Sequence, residues 1–125
     1  MSDSFRGVAD DAGYAFSYEG PLHEVFPALH DAQRAWLSRI DSLPAPDRKT
    51  HELIRMVCLA AAGNNAGVEH HAGLAAEVGA SWEEVLGSIM LSVPSFGLAR
   101  AVSAMPAARA GWEAGHDGAE SDRDE

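Results

Sequence analysis

The chain has 125 residues, a 46% hydrophobic content and a formal net charge of −10, which is one domain's worth of material with enough apolar residues for a core. Residues 1–20 hold four acids and one base and residues 117–125 five acids and one base, so the acidity sits mostly at the ends, while the middle, with ten acids and seven bases, is nearly balanced. No basic stripe exists for a phosphate backbone, no apolar run reaches the ~20 residues of a membrane span, and one cysteine excludes an intramolecular disulfide. The expectation is a soluble cytoplasmic protein that binds neither nucleic acid nor membrane.

Residues 1–20 lack helical periodicity and read as a flexible N-terminal arm. A first helix is expected from Pro21 or Pro27 to Asp41, with Phe26, Leu29, Trp36, Leu37 and Ile40 at helical spacing, until Leu43-Pro44-Ala45-Pro46 breaks it. The second, about 46–62, is apolar on every side from Leu53 to Ala62 apart from Arg55. Such a helix needs cover all round, and few elements are present to supply it, so burial against another subunit is expected. Cys58 reads as core.

Gly63-Asn64-Asn65 is a stop signal. A third helix, about 66–78, carries Val68, His71, Ala72, Ala75 and Val78 on one stripe, which places His71 on a buried face. Ser81 and Glu84 form a capping box that opens a fourth helix with Val85, Leu86, Ile89, Met90 and Val93. A fifth segment runs from Ser95 to about Trp112 on Leu98, Val102 and Met105, with Pro106 kinking or splitting it, and 113–125 reads as an acidic disordered tail. The resulting expectation is an all-α bundle of about five to six helices over residues 21–112.

Two side chains stand out chemically. A carboxylate opening the most apolar helix, Glu52, is a candidate acid or base, although a first-turn glutamate also serves a helix dipole in water. An imidazole on a stripe of small residues, His71, needs a hydrogen-bond partner or a catalytic reason. They lie on consecutive helices joined by a tight turn. His70 is about 100° around the helix from His71, and His23, His30, His51 and His116 read as surface residues. With no pair of histidines four apart on one helix and a single cysteine, no metal site is expected.

The run His51-Glu52-Leu53-Ile54, then Gly67-Val68-Glu69-His70-His71, then Val78-Gly79-Ala80-Ser81-Trp82-Glu83-Glu84-Val85, resembles the carboxymuconolactone decarboxylase / alkylhydroperoxidase D-like family over about half the chain. In that family's peroxidase branch a glutamate, a Cys-x-x-Cys pair and a histidine form a proton relay. The glutamate falls here on Glu52, the histidine on His71, and the two cysteine positions on Asn64 and Gly67. Without those sulfurs dithiol peroxide reduction fails, and the chain is more similar to the decarboxylase branch. The resemblance implies an alkylhydroperoxidase D-like helical fold and a homo-oligomer, trimer or hexamer, with sites near subunit contacts. The expected function is a cofactor-independent acid–base enzyme, lyase- or isomerase-like, acting on a small organic molecule. His71 and Glu52 would be its catalytic pair, with Asn64, Asn65, His70 and Arg55 available to hold substrate. The other reading is a non-catalytic oligomeric binding or scaffold protein of the same fold.

Overall fold

The computed structural model describes residues 19–124; most of the expected N-terminal arm, residues 1–18, lies outside the described residues. The chain divides between Pro44 and Ala45 into two compact units. In the first, helix α1 (Glu19–Val25) is followed after Phe26 by α2 (Pro27–Asp41), with a proline in its first turn. The expected apolar face of α2 is not an interior one: Phe26, Leu29 and Trp36 are all exposed, whereas His30, expected at the surface, is 1% exposed. Its ring lies edge-on to that of His23 on α1.

The second unit contains α3 (Arg48–Ala62), α4 (Asn65–Glu77), α5 (Trp82–Met90), the single turn α6 (Val93–Phe96) and α7 (Leu98–Asp124). Among the described residues no strand forms, so the all-α expectation is met. Asp47 caps α3 by accepting from the Thr50 amide at 2.9 Å. The helix ends in a Schellman turn, in which Gly63 N–H donates to Ala60 and Asn64 N–H to Leu59. Gly63 adopts φ +80° there, a region that disfavours any side chain. The Asn64 side chain then caps α4 through the Gly67 amide at 2.9 Å. One pivot therefore closes α3 and opens α4 within three residues. The Ser81–Glu84 capping box forms as expected, with both of its hydrogen bonds present.

Helix α4 is the central element, packed on α3 and on α7. Its stripe is buried at Val68, His71, Ala72 and Ala75, but Val78 lies past the helix end and is 45% exposed. Met56, Ala60, Val85 and Ile89 complete the core from α3 and α5. Cys58 is exposed rather than core. It shares one open stripe with Ile54 and Ala62, at i, i+4 and i+8, that no element of this unit covers.

Helix α7 corrects the sequence reading twice. Its buried face is not Leu98 and Val102, which are 55% and 52% exposed, but Ala101, Ala104 and Ala108, continued by Gly111 and Gly115. A Cβ at Gly111 would collide with the Glu69 carbonyl, and one at Gly115 with the Gly73 carbonyl. Backbone therefore rests on backbone where α7 crosses α4. The helix also runs through Pro106 without splitting and continues through the stretch expected to be disordered. Arg109 with Glu113, and His116 with Glu120, are i,i+4 pairs on that stretch, and Trp112 stacks on His116 at 4.6 Å. These i,i+4 contacts and the ring stacking support the helix through that acidic stretch. Trp112 Nε1 donates to the Ala80 carbonyl at 2.8 Å, fixing α7 to the loop before α5. No described helix is long and apolar enough to cross a membrane.

Candidate active site

Glu52 lies in the second turn of α3 on the face that meets α4, and it is 1% exposed. His71, halfway along α4 and 5% exposed, reaches it with Nδ1 at 2.7 Å from Oε2. Antiparallel packing about the Gly63–Asn64 pivot brings the two together. An ionised carboxylate only accepts hydrogen bonds, so Nδ1 carries the proton and Nε2 is left as the ring's basic nitrogen. Nε2 makes no hydrogen bond among the described residues, yet it is not one of the fully enclosed polar atoms.

The other carboxylate oxygen, Oε1, stands 2.6 Å from Arg48 Nη2. The approach is off a hydrogen-bonding direction, so the contact is an ion pair in which charge matters more than angle. Arg48 is 49% exposed and brings its charge to the buried acid from the solvent side. His51, 8% exposed and so also no surface residue, places Nε2 3.8 Å from Oε1. The first turns of α3 are covered on more than one side, because neighbouring residues point about 100° apart and both are buried.

Burial is the largest single influence on the Glu52 carboxyl and pushes its pKa up. The hydrogen bond and charge of His71, then the charges of Arg48 and His51, together outweigh it and hold the carboxyl below its ordinary value. Glu52 is thus an anion at neutral pH, suited to orienting an imidazole and stabilising its protonated form, and unsuited to donating a proton.

The remaining expected site residues divide. The His70 ring meets the His71 ring edge-on at 5.0 Å, so its position 100° around the helix still leaves it beside the pair. Arg55 is half-buried one turn after Glu52, but the arginine at the carboxylate is Arg48, which sequence reasoning missed. The signal was present in the i,i+4 spacing from Arg48 to Glu52. Asn64 and Asn65 are not brought to His71. They lie six to seven residues toward the N-terminus of α4, about 10 Å along its axis. The Asn64 carbonyl oxygen is occupied by its cap, and the Asn65 amide faces Ser103 on α7 at 3.3 Å. Cys58 is on the open stripe of α3, not at the turn where the Cys-x-x-Cys positions fall. The Arg100 guanidinium lies over Gly63 at the C-terminal end of α3. An open depression in the first unit, lined by Ala35, Ser38, Arg39 and Pro44 among others, contains no acid and no imidazole to do comparable chemistry.

The family model described as the carboxymuconolactone decarboxylase family matches residues 27–110. No curated protein and no solved structure matches the chain.

Proposed function

Because the chain belongs to the carboxymuconolactone decarboxylase family, we propose that it is an acid–base enzyme of small organic molecules in which His71 transfers the proton and Glu52 positions and charges the imidazole. The observation that carries this reading is the 2.7 Å contact between His71 Nδ1 and a buried, ionised Glu52. In a decarboxylation, lyase or isomerase step, Nε2 would take a proton from substrate or return one to a carbanionic carbon. The imidazolium formed would face the carboxylate across the Nδ1 hydrogen bond. This chemistry needs no cofactor, since both groups come from the chain, and no thiol. His70, beside the imidazole, and Arg55 are the side chains we assign to substrate contact; Asn64 and Asn65 are not among them. Assembly as a homo-oligomer and a cytoplasmic location belong to the same reading.

A second reading, a non-catalytic oligomeric scaffold, is favoured by the low exposure of His71, 5% in the single chain. Glu52→Gln separates the two. The substitution keeps shape and a hydrogen-bond acceptor but removes the charge that stabilises the imidazolium. As an active-site change it lowers turnover of a family substrate about 10²–10⁴-fold, well beyond the stability loss that the lowered Glu52 pKa implies at neutral pH. Full turnover in both Glu52→Gln and His71→Ala, each folded, would overturn the catalytic assignment and leave the scaffold.

A further inference from the structure

In the first unit, His23 on α1 and His30 on α2 bring their Nδ1 atoms to 3.3 Å. Asp31 Oδ1 lies 3.6 Å from His30 Nδ1. The three residues together offer one ligand atom each, all within 4.8 Å of one another. His30 is 1% exposed and Asp31 59%, so the cluster has a buried nitrogen at its base and a solvent-facing carboxylate at its mouth.

We infer that His23, His30 and Asp31 form a binding site for a divalent ion of the zinc class. Two nitrogens bound to one tetrahedral zinc at 2.0–2.1 Å must stand about 3.3 Å apart, the tetrahedral edge for that bond length. The observed spacing of the two ring nitrogens is that value, and the carboxylate oxygen is 3.6 Å from the His30 nitrogen and within 4.8 Å of His23. Two imidazoles and one carboxylate are a donor set suited to zinc and its borderline neighbours, not to magnesium or calcium, which take oxygen ligands. Water reaching in beside the exposed Asp31 completes the coordination. The spacing rule for two histidines on one helix does not apply, because the rings come from two helices that meet at Phe26.

This assignment is independent of the Glu52–His71 chemistry and is tested without an activity assay. The full chain, free of any polyhistidine tag, is titrated with Zn²⁺ by calorimetry and with Co²⁺ by visible absorption. One equivalent is expected to bind, with cobalt bands of tetrahedral intensity, and less tightly in acid because the ligands must be deprotonated. His30→Ala risks unfolding a buried position, so the diagnostic variants are His23→Ala and Asp31→Asn, each checked for native helix content by circular dichroism. Both should weaken binding at least about tenfold, the lower end of what even an outer-shell change costs a metal site. His71→Ala should leave binding unchanged. No uptake by the folded chain would reduce the cluster to an imidazole–imidazole hydrogen bond and overturn the inference. Full affinity in either variant, or loss in His71→Ala, would overturn it too.

Discussion

Arg48 and His71 hold opposite oxygens of one carboxylate: the arginine meets Glu52 Oε1 at 2.6 Å from the same helix, and the imidazole meets Oε2 at 2.7 Å from the next. One partner is half exposed and the other almost enclosed, so the acid meets a charge from the solvent side and a hydrogen bond from the interior side. This division makes Arg48 a positioning residue whose loss should be felt as electrostatics more than as packing.

Arg48→Gln is therefore expected to raise the Glu52 pKa, because it removes one of the charges that hold the carboxyl below its ordinary value. Carboxyl-selective NMR titration reads this directly. An unchanged Glu52 titration would show that the ion pair carries no charge coupling.

The same carboxyl gives the pH dependence a sign. Its folded pKa is depressed below the ordinary 4.5, so below that value the unfolded chain binds a proton that the folded chain does not. The Glu52 contribution to stability is complete above about pH 4.5 and is lost as pH falls through the lowered folded value. Asp47 and Glu84 are lowered as well, so the informative quantity is the difference between wild type and Glu52→Gln. Urea midpoints from pH 6 to pH 3 should fall more steeply for wild type, and parallel curves would contradict the shift.

The contact between α4 and α7 predicts an unusual rank among glycine substitutions. Gly111→Ala puts a methyl group onto the Glu69 carbonyl, and backbone cannot move aside as a side chain can. Overpacking of this kind costs about 1–3 kcal/mol or more, against which the helix-propensity gain of alanine offsets about 1 kcal/mol. Gly73→Ala, whose added carbon would lie 3.2 Å from the Gly111 oxygen, should cost less. Chemical denaturation of the two variants checks the order, and equal midpoints would remove the argument.

Assembly is tested at the open stripe of α3. Ile54 is 50% exposed beside exposed Cys58, on the helix whose apolar circumference led us to expect a subunit contact. Sedimentation should give a trimer or hexamer, and Ile54→Glu should shift it toward smaller species. A wild-type monomer at tens of micromolar would end the oligomer proposal.

Much of the site was legible because its determinants are local. The Gly63–Asn64 stop and the Ser81–Glu84 box fix where α3, α4 and α5 begin or end, and the period of α4 puts His71 on an inner face. Antiparallel packing of consecutive helices then brings Glu52 within reach. What escaped was decided at a distance. Alanine and glycine give no strong periodic signal, so the inner face of α7 was assigned to Leu98 and Val102 when close approach to α4 admits only residues such as Ala104, Ala108 and Gly111. Burial of His30 likewise depends on contacts from outside its own helix, and exposure of Cys58 on how few elements surround α3. No single-helix pattern encodes either.

The glycine contacts have a bearing on catalysis that the dyad geometry alone does not suggest. The strut carrying His71 has a carboxylate on one flank and a bare peptide ridge on the other. Substitutions some forty residues downstream, at Gly111 or Gly115, would push that strut off its seat and lengthen the 2.7 Å link without touching either His71 or Glu52. A survey of function-impairing variants should therefore light up a seam of α7 that no substrate ever meets.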